Sequence, residues 1–159
     1  MVRAFLSLGS NLGNRGDYLN KASEALSRNG VTVVRRAGIY ETEPLEVTDQ
    51  PWFLNTAVEA NTDLTPHQLI EVCLSIERAN HRVRTEIKSA RTMDMDIVFY
   101  GDQIIHEPHL TIPHPRFRER KFVLVPLVEL AADLKDPVSG ESVEQLLWKC
   151  PDTSVVRPM

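Results

Sequence analysis

The chain alternates apolar and polar residues most clearly through Met93-Asp94-Met95-Asp96-Ile97-Val98-Phe99-Tyr100. Read with period two, Met93, Met95, Ile97 and Phe99 fall on one side, and Asp94, Asp96, Val98 and Tyr100 on the other. That alternation predicts a half-buried strand. Similar reasoning predicts strands over residues 2–8, 31–40 and 53–62. In the last of these, Leu54, Val58 and Ala60 face one way and Phe53 and Asn55 the other. Apolar residues at helical spacing, Leu19, Ala22, Ala25 and Leu26, predict a helix over 17–28, stopped by Asn29-Gly30. Thr65-Pro66-His67-Gln68 opens a second helix with a capping box, and Leu69, Val72, Cys73 and Ile76 form its buried stripe.

Between these elements the pattern lapses. Gly9-Ser10-Asn11-Leu12-Gly13-Asn14 reads as a sharp turn, and 41–51 as a polar loop. Residues 80–92 have no hydrophobic period; they carry His81, Arg82, Arg84, Lys88 and Arg91 against a single Glu86. After a turn at Gly101-Asp102, residues 106–115 hold three histidines and three prolines and read as extended loop. A second basic cluster occupies 116–121. Residues 122–134 are apolar and read as helical after Pro126. A last short helix, 142–148, has its own capping box in Ser142 and Gln145, and the final residues read as a tail.

The order strand, helix, strand, strand, helix, strand, then helices predicts an α+β fold. It is a ferredoxin-like βαββαβ antiparallel sheet with added C-terminal helices, with the first two helices on one face. At 159 residues the chain is expected to be a single domain, 1–159. A net charge of −4 supplies no general basic field for nucleic acid, and no apolar run reaches the length of a membrane span. Cys73 and Cys150 show neither metal spacing nor a disulfide framework; a buried free thiol at Cys73 fits a reducing cytoplasm.

The candidate chemistry starts at Asp94 and Asp96. In a strand they point the same way, about 6.6 Å apart along the chain. Two carboxylates so placed repel unless something positive sits between them. A pair of Mg²⁺ ions bridging a polyphosphate would serve, with the arginines of the preceding loop offsetting charge on the transferring group. The alternative is a solvated edge strand with two surface carboxylates beside a solvated charge run. Taken alone, Asp-x-Asp does not choose between them. No P-loop and no protein-kinase signature is present, and no Ser-His-Asp order is evident. His106, His109 and His114 lack the helical spacing of a zinc site, so one of them as a hydrogen-bond or phosphate partner is the preferred reading. Phe53, Asn55 and Phe122 suit a clamp on a flat heterocycle with an amide reading its edge; both rings as core is the competing reading.

Several ordered segments resemble the 6-hydroxymethyl-7,8-dihydropterin pyrophosphokinases of folate biosynthesis. They are Gly9-Ser10-Asn11-Leu12-Gly13, Tyr40-Glu41-Thr42-Glu43-Pro44, Phe53-Leu54-Asn55, Ile76-Glu77-Arg78 and Arg82-Val83-Arg84. Next come Arg91-Thr92-Met93-Asp94-Met95-Asp96-Ile97 and Ile112-Pro113-His114-Pro115, followed by Arg120 and Phe122. The resemblance runs from Leu6 to about Leu134. It implies transfer of an intact diphosphate from ATP to the pterin hydroxymethyl oxygen, with release of AMP. It implies Asp94 and Asp96 as ligands of two Mg²⁺ ions and as catalytic residues together with Arg82 and Arg91. Glu77, Arg84, Ile97, Thr111, His114 and Arg120 would contact ATP. Thr42, Pro44, Leu45, Phe53, Asn55 and Phe122 would hold the pterin. Residues 43–52 and 82–92 correspond to the family's two lids. The chain departs from the family pattern at Ile87-Lys88-Ser89-Ala90 and at Leu74. The expectation is a cytoplasmic enzyme, acting as a monomer, with no nucleic-acid or membrane partner. An RNA-binding module on the same frame and a two-metal enzyme for another hydroxymethyl substrate are the competing readings.

Overall fold

The computed structural model describes residues 1–10, 15–43, 52–80 and 93–159. Gly9 and Ser10, read as the start of a sharp turn, continue the first strand instead. The rest of that expected turn, 11–14, with Pro44, Leu45, and the basic run with Arg82, Arg84 and Arg91, lies outside the described residues.

Strand β1 (Val2–Ser10) is central and pairs antiparallel with β4 (Phe53–Thr62) on one side and β5 (Asp94–Tyr100) on the other. Beyond β4, β2 (Val31–Arg36) lies against Val58–Thr62 and β3 (Tyr40–Thr42) against Phe53–Asn55. The long strands therefore run β5-β1-β4-β2, the order of the split βαβ arrangement. Residues 31–40, read as one strand, are broken at 37–39. The chain bends there without leaving the sheet, since Ala37 N–H donates to the Ala57 carbonyl and the Thr56 hydroxyl to that of Ala37, both at 2.9 Å.

Helices α1 (Arg15–Arg28) and α2 (Pro66–Ala79) cover one sheet face. Leu19, Ala22 and Leu26 of α1 and Leu69, Cys73 and Ile76 of α2 pack on Leu6, Leu8, Leu54, Val58, Met93 and Met95. The Thr65–Gln68 capping box forms as expected. Helix α1 ends where Gly30 adopts φ +85°, a conformation that a Cβ would strain.

Helix α3 (Lys121–Ala131) and helix α4 (Val143–Lys149) cover the opposite face. The Ser142–Gln145 capping box of α4 is formed. Helix α3 starts before Pro126 rather than after it. The Asp152 carboxylate accepts the Lys121 N–H at 3.0 Å, and the Arg120 carbonyl takes the N–H groups of Val123 and Leu124. Pro126 forgoes one helical bond and is buried, as are Val123, Leu124, Leu127 and Leu130 of the same helix.

Three further expectations change. Residues 106–115 contain a hairpin, β6 (Ile105–Glu107) with β7 (Leu110–Ile112). The tail is a strand, β8 (Val156–Pro158), paired antiparallel with β3. In β5, alternation fails at Val98. Phe5 pairs with Phe99 but Leu6 with Ile97, so Val98 is a β-bulge. The extra residue swaps the faces beyond it: Phe99 joins the α3 side and Tyr100 the α1/α2 side, the reverse of the simple period. Phe99 then packs edge-on to Phe5 and Phe117, with ring centroids 6.4 and 5.1 Å away.

Candidate active site

Strand register assembles the site. Opposite residues in antiparallel strands share a face. Gly9 lies opposite Asn55 on β4 and Asp94 on β5; Ser7 lies opposite Ala57 and Asp96; Phe5 lies opposite Glu59 and Phe99. All nine face α3 and α4. Phe5 and Phe99 are buried beneath α3, while the other two rows form a floor with the small residues Gly9 and Ser7 in its middle. Asp94 and Asn55 stand on either side of Gly9, so their Cα atoms are two strand spacings, about 10 Å, apart.

At the β4 end, Asn55 is 3% exposed, and its Nδ2 donates to the Thr42 hydroxyl at 2.7 Å. A Cβ on Gly9 would lie 2.5 Å from Asn55 Oδ1, so the amide rests directly on the Gly9 backbone. Phe53, half-buried, is opposite Thr42. Phe122 opens α3 on the same side of the sheet, and the Arg120 guanidinium lies 5.8 Å from its ring.

At the β5 end, Asp96 is 35% exposed at its side chain, and its Oδ1 lies 3.9 Å from His114 Nε2. The bulge brings His114 there: the Val98 carbonyl accepts the His114 N–H at 3.1 Å. Bulges of this kind re-aim neighbouring groups. His114 Nδ1 accepts the Arg116 N–H at 3.2 Å. The neutral ring therefore carries its proton on Nε2, towards Asp96. Burial pushes the imidazole down to about 4, with Arg120 and Arg116 lowering it further and Asp94 opposing them.

The outer edge of β5 is covered from the α2 side. Glu77 is buried, and its Oε2 accepts the Met95 N–H at 2.9 Å. Thr111 is on β7, half-buried opposite His106. Ile97 is packed in the α1/α2 core and does not reach the floor. The structure thus brings Asp94, Asp96, His114, Asn55, Thr42 and Phe53 around one face, with Arg120 and Phe122 at the α3 start. It sets Glu77 and Ile97 behind β5. His106 and His109 are exposed on the hairpin, and among the described residues no group of three or more His, Cys, Asp or Glu forms a metal cluster. Burial pushes the Cys73 thiol up to about 12, with Glu77 and Asp96 adding to the effect, so it is no nucleophile at neutral pH.

Ser7 and Gly9 escaped notice in the sequence as parts of the floor. Their signal was present: they continue the Phe5-x-Ser7-x-Gly9 row opposite Leu6 and Leu8. Tyr40 had no such signal. Its hydroxyl donates to Glu129 of α3 at 2.6 Å, and Glu129 also accepts the Gly38 N–H.

A small-residue floor between two carboxylates and a buried amide, on a ferredoxin-like sheet, suits an enzyme that joins a flat ring to a phosphate chain. Among solved structures, wild-type Plasmodium falciparum HPPK-DHPS shares the fold. Its TM-score is 0.73 at 15% identity, over 93% of this chain and 44% of that one. The family model of 7,8-dihydro-6-hydroxymethylpterin-pyrophosphokinase (HPPK) matches residues 5–132. The 2-amino-4-hydroxy-6-hydroxymethyldihydropteridine pyrophosphokinase of Methylorubrum extorquens is 46% identical over 99% of both chains. That of Bacillus subtilis is 40% identical over 92% of this chain and 90% of its own. A folic acid synthesis protein of Pneumocystis carinii is 42% identical over 95% of this chain, which spans only 20% of that longer protein. The chain belongs to the 7,8-dihydro-6-hydroxymethylpterin-pyrophosphokinase family and is an ATP-dependent diphosphotransferase of folate synthesis.

Proposed function

We propose that this chain, as a single domain over 1–159, transfers diphosphate from ATP to the hydroxymethyl oxygen of 6-hydroxymethyl-7,8-dihydropterin. The hydroxyl oxygen attacks the β-phosphorus, the bond from that phosphorus to the α–β bridging oxygen breaks, AMP leaves with that oxygen, and the hydroxyl proton is lost. The observation that carries this reading is the shared floor: Asp94 and Asp96 at one end, and Asn55 bonded to Thr42 at the other.

Each residue has a task in this reading. Asn55, held by Thr42, hydrogen-bonds the edge of the pterin, and Phe53 and Phe122 take its two faces. Pro44 and Leu45 complete that pocket. Thr42 and Asn55 are already ordered, so little entropy is lost when the ring binds. Arg120 and His114 contact the phosphates, His114 through a neutral Nε2–H. Glu77 and Thr111 border the nucleotide along the β5 edge, and Ile97, whose side chain is in the helical core, adjoins it only through its backbone. Arg82, Arg84 and Arg91 offset charge on the transferring group. No protein nucleophile takes part.

The carboxylates fit Mg²⁺. The two half-exposed oxygen donors, with no third acidic or imidazole ligand gathered among the described residues, match a cation that binds through one or two carboxylates plus substrate phosphates. Asp94 and Asp96 would hold two such ions, which when bound would neutralise developing charge on the phosphate oxygens.

The sheet edges support action as a monomer. Glu77 and His114 take up groups on the β5 edge, and β8 ends the other side with Pro158. No described helix is long and apolar enough to cross a membrane. A cytoplasmic location fits the buried free thiol of Cys73. The test is incubation with ATP, Mg²⁺ and the reduced hydroxymethylpterin while AMP is followed. Pterin-dependent AMP release is expected. AMP without pterin would show mere hydrolysis, and no AMP under any condition would sink the reading.

A further inference from the structure

The C-terminal strand pairs with β3 and reaches, through one side chain on the side away from the floor, the residue that precedes β4. Arg157 on β8 lies opposite Glu41 on β3, and its Nε and Nη2 both donate to Glu41 Oε1, at 2.9 and 2.5 Å. The same guanidinium lies over the Trp52 ring, 4.6 Å from its centroid. Glu41 immediately precedes Thr42, and Trp52 immediately precedes Phe53. One side chain thus ties the residue before the hydroxyl partner of Asn55 to the residue before the ring of Phe53.

Further hydrogen bonds reinforce this link. The Glu43 N–H donates to the Val155 carbonyl at 3.2 Å, and the Val155 N–H to Glu43 Oε1 at 2.7 Å. The Met159 N–H donates to the Ile39 carbonyl at 3.0 Å. Strand β3 has only three residues and three pairs with β4, too few to be rigid alone. Alternation places Thr42 on the floor side and Glu41 on the reverse side, so Arg157 stays clear of the substrate.

We propose that Arg157 is a positioning residue for the pterin half of the site. It sets the spacing of Thr42, Asn55 and Phe53 by bridging Glu41 to Trp52. The inference rests on the pterin reading of that pocket. It predicts a selective effect, because the carboxylate end of the floor, on β5, is separated from β8 by three strands.

The experiment compares full-length wild type, Arg157→Ala and Arg157→Lys by steady-state kinetics, amide exchange and thermal unfolding. Arg157→Ala is expected to raise KM for the hydroxymethylpterin by about three- to tenfold, the scale of one half-exposed ion pair plus one cation–π contact. KM for ATP stays within about twofold, since the nucleotide contacts are untouched. Lys keeps the charge but not the planar fork, so Arg157→Lys falls between the two. Amide exchange at Glu41, Thr42 and Phe53 is faster in Arg157→Ala without ligands, while the melting temperature barely moves. Unchanged pterin KM in an active Arg157→Ala protein overturns the inference alone. So does a parallel rise in both KM values with a lowered melting temperature, which marks general loosening. A wild type that releases no AMP in response to pterin overturns the functional reading, and the inference falls with it.

Discussion

The Asn55 amide donates to the Thr42 hydroxyl at 2.7 Å while its oxygen lies against the Gly9 backbone, where a Cβ would come within 2.5 Å. Two neighbouring strands thus fix one amide. The Gly9 position, with no side chain, makes room for it. Gly9→Ala is expected to push Asn55 off Thr42. It should raise KM for the pterin at least about tenfold and destabilise the protein by about 1–3 kcal/mol through overpacking. Kinetics and denaturant unfolding measure both; unchanged pterin affinity would show that Asn55 does not read the ring.

Asp96 and Asp94 tolerate a different test. Their carboxylates stand at the half-exposed end of β5, and the strand is held by its pairing with β1 and by Glu77 at its edge. Replacing Asp96 with Ala should therefore lower kcat by about a hundredfold or more while leaving the fold intact. Circular dichroism and AMP release check the two halves. Retained turnover would discredit Asp96 as a metal ligand.

Local signals carried much of this arrangement. The two capping boxes, Thr65–Gln68 and Ser142–Gln145, are visible as short sequence patterns and form as read. The Met93–Asp96 alternation placed both carboxylates on one face because nothing interrupts the strand there. It failed at Val98, where the bulge is dictated by pairing with β1, a partner almost a hundred residues away in the chain. The β6–β7 hairpin is masked by Pro108 in its turn and Pro113 after its end, and β8 is legible only once its partner edge, β3, is known. Of the site, Asn55 and Phe53 could be read as sharing a face. The Thr42–Asn55 bond and the Val98–His114 link could not, since both depend on register between strands. Ile97 follows the same period as Met95, and that period puts it behind the floor, with the helical core.

Tyr40 and Glu129 tie β3 to α3. Burial, with the Glu129 carboxylate beside it, pushes the phenol up to about 12, whereas an unfolded tyrosine ionises near about 10. The folded state therefore favours the protonated phenol. That contribution is complete below pH 10 and disappears as pH rises through 12. Wild type is expected to exceed Tyr40→Phe in stability at pH 9, with the gap closing between pH 10 and 12 in denaturant titrations. A gap that stays constant to pH 12 would mean that the Glu129 bond contributes nothing to it.

Asp136 gives the corresponding acid-side prediction, and it reaches the site through Arg118. Asp136 is fully buried, and its carboxylate accepts Arg118 Nε and Nη2 at 2.6 and 2.9 Å, the Val138 N–H at 3.1 Å and the Ser139 hydroxyl at 2.8 Å. Burial alone would raise its pKa, but Arg118 and the two further donors outweigh it and hold the carboxyl below its usual range. Arg118 in turn lies 4.5 Å over the Phe117 ring, inside the turn between His114 and Arg120. A depressed carboxylate contributes stability that is present above the unfolded pKa of about 4 and lost as pH falls through the folded value. Asp136→Asn leaves Arg118 without its charge partner and should cost about 3 kcal/mol at pH 7. The stability gap between wild type and variant should hold from pH 7 to 5 and narrow below pH 4 in urea titrations. Because His114 and Arg120 flank the turn that Arg118 anchors, KM for ATP should rise at pH 7 while KM for the pterin changes less. A stability gap that is flat down to pH 2, or ATP and pterin constants that shift together, would refute this account of Asp136.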